Sequence, residues 1–231
     1  MERKMIITKD GSASIAIPEM NVTYHSIHGA IQESLHVFIE AGFSYLINEL
    51  TGKPINIFEM GFGTGLNALL TLIEADTKNQ PVHYTSVELY PLRDNEISLL
   101  NYCEQLKQAA YQPSFEKLHS CDWEKDIAMS PFFTFHKSRT DLVNFSTHQP
   151  FNLAYYDAFA PVAQPELWTK SIFEKLFNMM SPGGILVTYC SKGDVQRAMK
   201  AAGFGIEKIP GPPGKREILR AEKRKSIVGS R

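Results

Sequence analysis

The sequence predicts an α/β fold of Rossmann-like type: a mostly parallel seven-stranded sheet, closed by a C-terminal antiparallel hairpin and preceded by a small N-terminal extension. Three observations predict it. From residue 55 onward, short apolar runs alternate with segments of helical period, the pattern a parallel sheet with crossover helices requires. One of these runs, Ile57-Phe58-Glu59-Met60, leads directly into a glycine-rich turn that opens a helix. Another, Leu153-Ala154-Tyr155-Tyr156, stops at the carboxylate Asp157.

The elements follow in order. Ile6-Ile7-Thr8 and Ser14-Ile15-Ala16-Ile17 flank Asp10-Gly11, a hairpin-turn pair. Ile31, Leu35, Phe38 and Ile39 recur at helical spacing, and this helix continues less regularly to Leu50. Turn-forming residues at 48–54 then mark the end of an N-terminal hairpin-and-helix extension, residues 1–50, before the main domain, residues 51–231; the two form one compact unit. Strands are expected at 55–60, 82–89, 132–137, 151–156 and 184–190, the third being either a strand or an irregular connection. Helices are expected at 66–75, 165–180 and 194–202, helical segments around 93–110, and the closing hairpin at 204–209 and 216–221. There are no repeats or low-complexity tracts.

The 231 residues are 43% hydrophobic and 21% charged, ordinary for a globular chain, and no apolar run is long enough to span a bilayer. The N-terminus lacks the apolar core and small-residue cleavage site of a secretory signal, and Cys103, Cys121 and Cys190 are widely spaced without a CxxC. The expectation is therefore a cytoplasmic protein with plain thiols. The net charge of −1 hides an asymmetry: from Lys208 to Arg231 there are eight Lys/Arg against two Glu, a balance of +6, on a body of −7. That tail is either a phosphate-binding surface or a solvated C-terminus.

The glycine turn reads Glu59-Met60-Gly61-Phe62-Gly63-Thr64-Gly65-Leu66-Asn67. A dinucleotide fingerprint needs G-x-G-x-x-G, but here the spacing is G-x-G-x-G, with Asn67 where the third glycine would fall. Glu59, two residues before the first glycine, would repel a pyrophosphate and suit a cationic ligand. S-adenosylmethionine, with a sulfonium and an ammonium but no pyrophosphate, fits that combination. Glu88, ending the second strand, is placed to accept hydrogen bonds from ribose hydroxyls. Asp141 and Leu142 form a plausible adenine-edge pair, unless Asp141 is an ordinary loop carboxylate. Candidate cofactor residues are thus Glu59, Gly61, Gly63, Gly65, Asn67, Glu88, Asp141, Leu142 and Asp157.

Ligands of open α/β sheets bind outside the carboxyl ends of the strands, which places Asp157 beside the transferred group and Phe159 where it can stack on a base. Read alone, Asp157 could equally cap a turn; with the glycine motif the functional reading prevails.

Five segments together resemble the MnmC-type methyltransferase domain: Tyr24-His25-Ser26-Ile27-His28-Gly29-Ala30, the glycine motif through Asn67, Tyr156-Asp157-Ala158-Phe159-Ala160-Pro161, Pro165-Glu166-Leu167-Trp168-Thr169 and Gly211-Pro212-Pro213-Gly214-Lys215-Arg216-Glu217. The resemblance runs from about Tyr24 to Ala221. It implies a class I S-adenosylmethionine-dependent methyltransferase fold. The implied activity is methylation of the amine of 5-aminomethyl(-2-thio)uridine at the wobble position of tRNA, giving the 5-methylaminomethyl form. Without a second dinucleotide motif, the chain resembles the stand-alone form lacking the FAD oxidoreductase domain, and a separate enzyme would supply the aminomethyl precursor.

That chemistry makes Asp157 the expected catalytic residue, holding the acceptor ammonium and receiving its proton. Tyr24, His25, His28, Phe159 and Trp168 are expected on the substrate side; the histidines could instead belong to a hydrogen-bonded loop, and Trp168 to the core. Lys215 and Arg216, presented on a Gly-Pro-Pro-Gly loop, are expected to contact phosphates of the anticodon loop, with Arg220, Lys223, Arg224 and Lys225 extending that surface. No metal is expected, since His25 and His28 lack a third ligand. The competing readings are a transferase acting on a polyamine, an NAD(P)-dependent oxidoreductase, and a non-enzymatic tRNA-binding module.

Overall fold

A computed structural model describes residues 2–49 and 52–224. The expected extension boundary at residues 50 and 51, and the end of the basic tail at 225–231, lie outside the described residues. Among the described residues, no helix is long and apolar enough to cross a membrane.

The chain opens with a three-stranded antiparallel sheet, β1 (Lys4–Ile7), β2 (Ala13–Ile17) and the short β3 (Val22–Thr23), in that order. The Asp10-Gly11 turn does more than reverse the chain. Asp10 Oδ2 accepts from the Gln32 amide at 3.1 Å, and the Thr8 and Ser12 hydroxyls each accept from the Ala30 amide at 3.2 Å. These are the donors a helix start leaves without internal partners, so the hairpin caps the helix that follows. That helix, α1, runs from Ala30–Ser34 through a π-helical stretch, Leu35–Ser44, into Tyr45–Glu49. It lies close on the sheet because Gly42 has no side chain: a Cβ there would meet Val187, Tyr155 and Leu153 at 3.1–3.4 Å.

The central sheet has eight strands in the order β10-β11-β9-β8-β4-β5-β7-β6. Its inner strands are β4 (Ile55–Met60), β5 (Val82–Val87), β7 (Phe133–Ser138), β8 (Phe151–Tyr156) and β9 (Met180–Thr188), all parallel to one another. The antiparallel hairpin β10 (Gly205–Pro210) and β11 (Glu217–Glu222) closes one edge. These seven are the expected strands. The eighth, β6 (Asp126–Ser130), pairs antiparallel with β7 at the other edge. It carries mostly exposed or half-exposed side chains, so its sequence has no apolar alternation to announce it.

Inward strands alternate cleanly between two apolar layers. Ile57, Leu153, Tyr155 and Val187 face α1 and α2 (Leu66–Lys78), whereas Phe58, Ala154, Tyr156 and Leu186 face α4 (Lys170–Met179) and α5 (Gly193–Ala201). The helical segments expected around 93–110 are two single turns, Asp94–Ile97 and Tyr102–Gln105, and they are followed by α3 (Gln112–Ser120). Pro113 sits in the first turn of α3, where proline starts a helix well.

Candidate active site

Parallel register brings the motif residues to one edge of the sheet. Met60 pairs with Val87 on one side and Tyr156 on the other, and Val87 pairs with Ser138. The next residue on three of these strands, Gly61, Glu88 and Asp157, therefore emerges at the same level, at the carboxyl ends of the strands, where open α/β sheets bind ligands.

The glycine turn is held against β5: the amides of Gly61 and Phe62 donate to the Val87 carbonyl at 3.0 and 3.3 Å. Gly61, Gly63 and Gly65 all have positive φ, +87°, +52° and +73°. At Gly65 the requirement is twofold, since a Cβ would also lie 2.9 Å from the Phe62 ring and 3.0 Å from His119 Nε2. His119, neutral because burial pulls it down to about 4, supports the turn from below through Thr64 O at 3.1 Å. Above the turn, the Tyr24 ring lies 3.2 Å from where a Cβ of Gly63 would be and meets Phe159 edge-on, with centroids 5.2 Å apart.

Three carboxylates surround this turn in different states. Glu88 accepts from the Gly63 amide at 3.0 Å and the Tyr90 amide at 2.6 Å, its two oxygens bridging the turn and its own loop. Glu59 is buried beneath the turn and accepts from Ser86 Oγ at 2.8 Å. Burial pushes its carboxyl up to about 8, Asp157 adding to the rise and the Ser86 hydrogen bond opposing it. Asp157 accepts from the Asn67 amide nitrogen at 3.0 Å, while Asn67 Oδ1, also buried, has no partner among the described residues. Desolvation raises the Asp157 carboxyl to about 7; Glu33 adds to this, and Asn67 and Lys215 work against it.

Glu33 and Tyr189 complete this corner, and neither was singled out in the sequence. Glu33, buried on α1, accepts from the Ser26 amide at 2.7 Å and forms an ion pair with Lys215. The Lys215 ammonium also lies 3.8 Å over the Tyr189 ring, and Tyr189 Oη donates to the Ala158 carbonyl at 2.9 Å. A signal for Glu33 existed, as an acid one helical turn after the Gly29-Ala30 helix start. Without the fold it reads as an ordinary first-turn acid.

The remaining expected residues lie as follows. His25 takes the hydrogen-bonded alternative: it is buried between Ser14 Oγ at 3.1 Å and Thr64 Oγ1 at 3.4 Å, and burial keeps it neutral by lowering it to about 4. Trp168 is a core residue, 5% exposed, packed on Tyr156 and Phe173, with its indole N–H bonded to the Phe159 carbonyl at 2.8 Å. Lys215 points inward to Glu33 rather than out to a phosphate, because a buried carboxylate binds an ammonium more strongly than water-exposed anions do. Arg220 is committed to Glu207 and the Tyr45 ring, and Lys223 to the carbonyls of Phe177 and Met180. Leu142 is fully buried in the apolar layer that holds Phe58 and Phe145, and Asp141 caps a turn through the Asn144 amide at 2.8 Å. His28 packs its ring on Gly214, joining the two ends of the chain, and Arg216 is exposed.

The fold and this strand-edge site define a Rossmann-like transferase with a nucleoside cofactor. Residues 104–224, just over half of the chain, match the S-adenosyl-L-methionine-dependent methyltransferase family, and the chain belongs to it; S-adenosylmethionine is its cofactor. A curated relative, the tRNA 5-methylaminomethyl-2-thiouridine biosynthesis bifunctional protein MnmC of Ectopseudomonas mendocina (strain ymp), is 30% identical over 213 residues, 85% of this chain and 31% of the relative. The chain thus spans about a third of that protein's length. The crystal structure of MNMC2 from Aquifex aeolicus superposes with a TM-score of 0.77 at 21% identity, covering 100% of this chain and 73% of the other, a likeness of fold.

Proposed function

We propose that this methyltransferase acts on the amine of 5-aminomethyl(-2-thio)uridine at the wobble position of tRNA, yielding 5-methylaminomethyl(-2-thio)uridine. The observation that carries the reading is the Asp157 carboxyl, raised to about 7 at the sheet edge where the glycine turn also opens. The kinship with the tRNA-modifying relative supports the acceptor.

When bound, S-adenosylmethionine supplies an electrophilic methyl group on a sulfonium. The residues of the strand edge suit it. Asn67 Oδ1 is a buried acceptor awaiting a donor, and Glu59, neutral through burial, regains its charge beside a cation. Gly61, Gly63 and Gly65 leave the main chain open to close approach, Glu88 offers two acceptor oxygens, and Asp141 stands beyond the end of β7. The chain's own residues then handle the proton. An alkylammonium has a pKa near about 10, and only its neutral form has a lone pair to attack with. Against an ordinary aspartate the mismatch is roughly six units; against Asp157 it is about three, some 4 kcal/mol less to overcome. Asp157 Oδ1 or Oδ2 receives the proton, Asn67 fixes the carboxyl's orientation, and Tyr24 with Phe159 offers an aromatic wall to a splayed base. Exposed Arg216 and Arg224 face phosphates, the precursor comes from a separate enzyme, and the cytoplasm is the working compartment.

The test is transfer of labelled methyl from S-adenosylmethionine to bulk tRNA lacking the terminal methyl of 5-methylaminomethyluridine, followed by nucleoside analysis. Label in that nucleoside is the expected result. Unlabelled tRNA, with calorimetric cofactor binding intact, would overturn the acceptor and point to a small amine.

A further inference from the structure

The contacts of Lys215 are those expected of a bound ligand. Its side chain enters from the loop between β10 and β11, a segment held by local backbone bonds, Lys215 N to Pro212 O at 2.9 Å and Gly211 N to Arg216 O at 3.1 Å. Its head group then lies against two groups from other parts of the chain, the Glu33 carboxylate of α1 and the Tyr189 ring just beyond β9. A carboxylate on one side and an aromatic face on the other is a cage for an alkylammonium. The Glu33 side chain is 8% exposed, so it cannot be left without a cation at low cost; exchanging one ammonium for another preserves the pair. Tyr189 is also tied to the Ala158 carbonyl, which places the cage beside Asp157.

We propose that Glu33 and Tyr189 form a subsite for a primary aliphatic ammonium, and that Lys215 occupies it until the acceptor's own ammonium displaces it. The proposal rests on the reading that the acceptor is an amine, and it adds where that amine is recognised and what must move. The acceptor group, a CH2–NH3+ terminus, has the same chemistry as the end of a lysine side chain. Entry of the acceptor and withdrawal of the Gly211–Arg216 loop are therefore one exchange. A quaternary ammonium offers no N–H to Glu33 and does not replace Lys215.

The probe is n-propylammonium chloride, titrated into the full chain and followed by NMR, with tetramethylammonium and sodium chlorides as controls. Lys215→Met keeps the side-chain stem and removes the charge; it is expected to bind n-propylammonium at least tenfold more tightly than the parent chain. The added substitution Glu33→Gln is expected to abolish that gain. Binding by Lys215→Met no tighter than the parent, or a gain that survives Glu33→Gln, would overturn the subsite. Should Lys215→Met fail to fold, the parent chain labelled with 3-fluorotyrosine decides. Its Tyr189 resonance, assigned with Tyr189→Phe, is expected to shift saturably with n-propylammonium and not with the controls; no shift at molar concentration would overturn the proposal. These readouts involve no RNA. Labelled tRNA with a failed titration removes the subsite alone, and a successful titration with unlabelled tRNA removes the tRNA acceptor alone.

Discussion

The Asn67 side-chain nitrogen donates to Asp157 Oδ2 at 3.0 Å, linking the first turn of α2 to the end of β8. The bond favours the carboxylate form, so its loss raises an already elevated group further. In Asn67→Ala, the acid limb of the kcat profile should move upward by about one unit, with activity falling several-fold near pH 7 and recovering at more alkaline pH. A profile superimposable on the parent's would remove Asn67 from this role.

Asp157→Asn retains an oxygen for Asn67 to donate to but cannot take a proton. Methyl transfer should fall by about 10²–10⁴-fold, the usual contribution of a positioned acid or base. Calorimetric affinity for S-adenosylmethionine should stay within a few-fold. Turnover near the parent's would show that the acceptor loses its proton elsewhere.

The buried titratable groups set the sign of the pH dependence of stability. Glu59 at about 8 and Asp157 at about 7 are raised from 4.5 and 3.8, so their contribution is present at low pH and is lost as pH rises through the folded values. His25 and His119, both lowered to about 4 from 6.5, act in the opposite direction, but only below about 6.5. Between about 6.5 and 8 only the carboxyls remain, and the cofactor-free chain should lose stability, by at most about 1.4 kcal/mol per pH unit for each proton. Urea unfolding at pH 6.5, 7.25 and 8 measures the slope. Glu59→Gln should flatten it, and a stability that rises across this window would contradict the assignment.

Arg216 is exposed, whereas its neighbour Lys215 is paired with Glu33. Arg216→Ala should therefore weaken tRNA binding across sequences and reduce the slope of log affinity against log salt by about 0.7, the value for one phosphate of a single strand. Filter binding at several salt concentrations reads both. An unaltered slope would place the RNA surface elsewhere.

Much of this was legible in the sequence because the signals were local. Ile55–Met60 and Phe151–Tyr156 are strands over the expected residues, and the three glycines take the positive φ that their spacing demanded. What escaped depends on contacts between distant segments. The direction of Lys215 is decided by Glu33, 182 residues away in sequence, and no local pattern carries that pairing. Local pattern left His25 open between a substrate-side and a hydrogen-bonded role because its partners, Ser14 and Thr64, come from β2 and the glycine turn. Strand β6 and helix α3 were missed because half-exposed edge elements lack a strong apolar period.

The parallel register that gathers Gly61, Glu88 and Asp157 also leaves the opposite rim of the sheet with a different freedom. There the strands begin, at Ile55, Val82, Phe133 and Phe151, and the few residues just before each start include none of those on which transfer depends. An insertion at Asn79 or His148, a tether or a reporter protein, would sit a full strand length from the chemistry. The molecule is therefore two-sided, one rim constrained by its reaction and the other open as an attachment point.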